Sequence, residues 1–69
     1  MFSYNPLWKL LIDKNLSKTE LRTSCNITKQ TLADMNKNKY VSLKTLDKIC
    51  KYMNCNISDV IEYIPNKED

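Results

Sequence analysis

Sixty-nine residues suffice for one small hydrophobic core and are too few for two, and an apolar share of 42% leaves little for an internal substrate cavity. Histidine is absent, which removes the commonest general base and the commonest transition-metal ligand together, so neither an enzyme nor a metal centre is expected. The net charge of +3 is modest but uneven: residues 1–40 carry seven cations against three anions and residues 41–69 four against five, which puts the positive potential in the first part.

A ribbon strand over Phe2-Ser3-Tyr4 opens the chain, with Glu62-Tyr63-Ile64 as its expected partner. A first helix follows, with Asn5 as N-cap and Pro6 at the first helical position, where the missing N–H costs nothing. Leu7, Leu10 and Leu11 share one face, and Asn15 ends the helix. Ser17-Lys18-Thr19-Glu20 has the capping-box pattern, in which serine hydroxyl and glutamate satisfy each other's amides, and predicts a second helix reaching about Cys25. Asn26-Ile27 allows only a tight turn before Thr28, which caps a third helix from Lys29 to Asn36 with Leu32 and Met35 inward. After Lys37-Asn38-Lys39-Tyr40, Ser42 caps a fourth helix whose Leu43, Leu46, Ile49, Cys50 and Met53 keep the helical period. Asn56 caps a short fifth helix through Ile57, Val60 and Ile61.

Helix ends commonly use a residue that tolerates the left-handed region, yet the chain has no glycine; Asn15, Asn26, Asn38 and Asn54 stand where helices stop and are expected to substitute for it. An A/T-rich coding sequence would explain abundant asparagine but not this placement. Cys25, Cys50 and Cys55 cannot all pair within one chain and show no CxxC spacing, so reduced thiols in a cytoplasmic protein are expected, with Cys25 and Cys50 buried and Cys55 more exposed. No stretch approaches a membrane span and the first residues lack the features of a secretory signal.

Two short helices joined by a turn of about three residues, at about 17–36, form a helix-turn-helix that presents the second helix outward, braced by Leu21, Ile27, Leu32 and Met35. Leu16-Ser17-Lys18-Thr19-Glu20-Leu21, Asn26-Ile27-Thr28-Lys29-Gln30-Thr31-Leu32 and the leucine-rich segment Leu43 to Met53 resemble the phage repressor and Cro type of DNA-binding domain, the XRE family, over about residues 7–61. The resemblance implies an all-α, five-helix domain spanning the chain. It further implies that the third helix reads the major groove of double-stranded DNA, as a homodimer on a pseudo-palindromic site. Three positions depart from the family pattern: Lys18 replaces Gln, Arg22 replaces Ala and Asn26 replaces Gly. Asn26 can adopt the same backbone conformation, whereas Arg22 must lay its stem over the helix contact and keep its guanidinium in water or on a phosphate.

Carried onto matching positions, the resemblance makes Lys29, Gln30 and Asp34 the base-reading candidates. Lysine donates to guanine O6 and N7, and glutamine pairs with adenine N6 and N7. Asp34 either accepts from cytosine N4 or pairs with Lys37. Thr28 and Thr31 offer hydroxyls to phosphate or methyls to thymine, and Lys18, Lys37, Asn38, Lys39 and Tyr40 are backbone contacts that position without specifying. Trp8 and Ile12 lie off the core stripe and either cover the termini or form a contact surface; Phe2, Tyr4, Trp8, Ile61, Tyr63 and Ile64 are the interface candidates, unless the two termini simply pack together.

The expected function is a sequence-specific transcriptional regulator acting by occupancy, with repression favoured over activation and no cofactor. The rival is an antitoxin-like or accessory protein-interaction module on the same fold, which the modest charge and the acid in the third helix favour.

Overall fold

Side-chain caps set where the helices begin. Ser17, Thr28 and Ser42 each sit in extended backbone, and each hydroxyl accepts a backbone N–H three residues on, from Glu20, Thr31 and Thr45, at 3.0, 3.0 and 3.1 Å. At Ser17 the box closes, since Glu20 Oε1 accepts the Ser17 N–H at 3.3 Å. The computed structural model describes residues 1–65, and its elements follow in chain order as β1 (Phe2–Ser3), α1 (Asn5–Asp13), α2 (Lys18–Ser24), α3 (Lys29–Asn36), α4 (Leu43–Met53), a 3₁₀ turn (Ile57–Asp59) and β2 (Glu62–Tyr63).

Each helix ends at an asparagine-bearing corner: Asn15, Asn26, Asn38 and Asn54 have φ of 58°, 55°, 57° and 52°, the left-handed conformation that glycine would otherwise supply. The expectation drawn from their placement holds at all four.

The core is built from one stripe of each element: Leu7 and Leu11 of α1, Leu21 of α2, Met35 of α3, and Leu46, Ile49 and Met53 of α4, closed by Tyr4, Cys25, Ile27 and Val60. Sealing a side chain such as Leu21 or Ile49 contributes about 1.5–3 kcal/mol of burial free energy. Leu10, Trp8 and Cys50 are half-buried against this cluster. The antiparallel ribbon pairs Phe2 with Tyr63 and Ser3 with Glu62, and the Met1 amine and carbonyl exchange bonds with Ile64 at 2.8 and 2.7 Å. Each strand is one residue shorter than expected, stopping at Ser3 and at Tyr63, and Tyr4 is buried and precedes α1.

Several expectations are corrected. The described residues contain four helices and a ribbon, not five helices: Asp59 Oδ2 accepts the Asn56 N–H at 3.1 Å across a single 3₁₀ turn, and buried Val60 leads directly toward β2. Leu43, which keeps the period of the core stripe, is 81% exposed. It lies about 60° round from Leu46 at the first residue of α4, on the flank shared with half-buried Cys50. Leu32 is half-buried rather than sealed, so the brace behind α3 rests on Met35, Leu21 and Ile27. Cys55 is half-buried beside Cys50, and all three cysteines are free thiols. α1 starts at Asn5, with Tyr4 in the cap position and Ser3 Oγ accepting the Asn5 N–H at 3.1 Å. No helix of the described residues is long and apolar enough to cross a membrane.

Candidate nucleic-acid interface

Thr28 fixes the start of α3 twice, by accepting the Thr31 N–H and by donating from Oγ1 to Thr31 Oγ1 at 2.9 Å. Both hydroxyls that were candidate backbone contacts are therefore engaged with each other. On the turn they cap, Lys29 and Gln30 are exposed, while Met35 on the opposite face is fully buried. An eight-residue helix is about 12 Å long, comparable with the width of the B-DNA major groove. The two strongest base-reading candidates thus stand on the accessible first turn of a rod held from behind.

Asp34 is half-buried, and its Oδ1 accepts Gln30 Nε2 at 2.9 Å, one turn back along the helix. This glutamine, rather than Lys37, is the partner found for the carboxylate. Lys37, Lys39 and Tyr40 are exposed beyond the helix end. Asn38 is half-buried, and its Oδ1 accepts the Tyr4 N–H at 3.3 Å.

Lys18 connects three helices. Its Nζ donates to Asn36 Oδ1 at 2.7 Å and stands 4.1 Å from the centre of the Trp8 ring. The ring face attracts the ammonium, while the asparagine joins the first turn of α2 to the last of α3. Asn36 and Trp8 were not identified as partners of this lysine from sequence, since the contact spans 18 residues in one direction and crosses to another helix in the other. Arg22 is half-buried on α2.

Tyr4 closes the rear of this surface. Burial pushes its phenol up from the ordinary value, with the Val41 backbone N–H acting in the opposite direction and the Asp34 charge adding to the rise. Among the described residues no group of three or more His, Cys, Asp or Glu side chains is arranged to hold a metal ion.

The description of a Cro/C1-type HTH DNA-binding domain matches residues 6–66. The chain belongs to that family. A solved structure described as the transcriptional regulator VanUg, Form II, is similar at 49% sequence identity and a TM-score of 0.91, covering 94% of this chain and 87% of the other. No functionally curated protein matches. As a Cro/C1-type domain, the chain is a DNA-binding helix-turn-helix of the kind found in transcriptional regulators.

Proposed function

We propose that this Cro/C1-type domain is a sequence-specific regulator that lays α3 in the major groove of double-stranded DNA, reads bases with Lys29 and Gln30, and represses by occupying its site. The observation that carries the reading is the opposition on α3 between the exposed Lys29 and Gln30 and the fully buried Met35. Phosphate contacts come from Lys18 on one side and from Lys37, Lys39 and Tyr40 on the other, which are exposed at the two ends of the helix-turn-helix.

One such helix reads only a few base pairs, too few to select a site in a genome, so a second copy is part of the proposal. Of the interface candidates, Tyr4 is buried inside the chain and Trp8 is occupied by Lys18. Phe2, Tyr63 and Ile64 remain exposed, joined by Tyr40 and Leu43. Phe2 meets Tyr40 and Tyr63 edge-on at 6.3 and 5.4 Å, and an open hollow of about 240 Å³ runs between Phe2, Tyr40, Val41, Leu43 and Ile61. This apolar strip adjoins the loop that follows α3 and is the surface on which the second copy would dock.

A salt titration of binding tests the reading: log K should fall linearly with log salt, and Lys29→Ala and Gln30→Ala should each reduce preference for the selected site over unrelated duplex. If both variants discriminate as the wild type does, the base-reading assignment is wrong. Capture of a protein partner with no selective DNA binding would favour the interaction-module reading instead.

A further inference from the structure

A glutamine amide offers an acceptor on one side and donors on the other, and its terminal torsion is broad enough to present either. Gln30 is not left with that choice. Its Nε2 donates to Asp34 Oδ1 at 2.9 Å, and because a carboxylate can only accept, the NH₂ group must be the end turned toward Asp34. One N–H is used there, leaving Oε1 and the second N–H.

An acceptor beside a donor complements the major-groove edge of adenine, which presents N6–H₂ as donor and N7 as acceptor. It mismatches guanine, whose O6 and N7 both accept. The backbone beneath the carboxylate is held as well, since the Asp34 carbonyl accepts the N–H groups of Lys37 and Lys39 at 3.1 and 2.9 Å. A negative charge on the reading helix weakens attraction to every duplex alike, so Asp34 adds nothing to non-specific affinity.

We propose that Asp34 is a positioning residue that fixes Gln30 as an adenine reader. The proposal rests on the reading of α3 as the DNA-reading helix. Asp34 acts through Gln30 and makes no base contact of its own.

Selection of binding sites from random duplexes tests this, run on the full chain as wild type, Gln30→Ala, Asp34→Asn and Asp34→Ala, with a thermal melt of each to establish folding. Gln30→Ala should erase the preference at one position of each half-site, and that position should be adenine in the wild-type motif. Asp34→Asn keeps the shape but donates as well as accepts, so Gln30 can turn over. Adenine preference at the same position should fall by about fivefold or more and guanine should enter, with the other positions unchanged. Asp34→Ala should flatten the same position while tightening binding to all duplexes; should it melt early, Asp34→Asn alone decides. A wild-type guanine at that position, or an unchanged motif in the folded Asp34 variants, overturns the inference and leaves the reading of α3 standing. If no position responds to Gln30→Ala, the role of Gln30 fails and the inference with it.

Discussion

The Tyr4 hydroxyl donates to the Lys39 carbonyl at 2.6 Å, fastening the residue that precedes α1 to the loop that follows α3. With the Tyr4 N–H on Asn38 Oδ1, this makes two bonds between segments 34 and 35 residues apart, and it sets where the exposed Lys37, Lys39 and Tyr40 stand relative to the core.

Removing that hydroxyl should be felt as stability and as pH dependence. Tyr4→Phe is expected to cost about 1 kcal/mol in chemical denaturation, because the Lys39 carbonyl loses its partner. Since burial raises the Tyr4 phenol, folding favours its neutral form: the contribution is complete below the ordinary tyrosine range and is lost as pH climbs through the raised value. The wild type should therefore lose more stability than Tyr4→Phe on going to strongly alkaline pH, measured by melting temperature across that range.

The left-handed corners separate asparagine from other residues. Asn26→Ala should destabilise by about 1 kcal/mol, whereas Asn26→Gly should stay within about 0.5 kcal/mol of the wild type, because only the first strains the positive φ. Denaturant midpoints of the two variants check this.

Lys18 gives a prediction about DNA affinity rather than specificity. Lys18→Ala should weaken binding to all duplexes by a similar factor and lower the log–log salt slope by about 1. Asn36→Ala and Trp8→Leu remove no charge, so they should weaken binding less, in proportion to how firmly they hold the ammonium. Binding isotherms at several salt concentrations distinguish these cases; stronger binding by Asn36→Ala would show that its bond competes with phosphate.

Leu43 and Ile49 sit on the same helix and should differ sharply in how much they matter to stability. Ile49→Ala, fully buried, is expected to cost about 2–5 kcal/mol, while Leu43→Lys should change stability by less than about 0.5 kcal/mol. If the strip around Leu43 joins two copies, Leu43→Lys should also shift sedimentation toward the monomer without altering the melt of the isolated chain.

The parts legible in the sequence were those governed by neighbours a few residues apart. Ser17, Thr28 and Ser42 announced the helix starts because a cap reaches only three residues, and the asparagines announced the ends because no glycine was available to do so. Burial was less legible at the margins. Leu43 satisfied the period of α4, but periodicity does not say where a neighbouring helix stops covering it. The inward Met35 followed from the periodicity of α3 and the candidates Lys29 and Gln30 from the resemblance to the family, whereas the pairing of Lys18 with Trp8 and Asn36, and of Tyr4 with the α3–α4 loop, depends on how distant segments meet. For Asp34 the sequence offers cytosine N4 or Lys37, and the bond found in the chain, from Gln30 on the preceding turn, is neither, because several donors lie within reach of one carboxylate on a helix.

At eight residues, α3 is below the length at which a lone helix persists in water. A synthetic peptide of that stretch should be a random coil and carry none of its surface. The recognition face consequently vanishes whenever the surrounding helices let go, so a bound partner that grips it must also raise the temperature at which the whole domain melts.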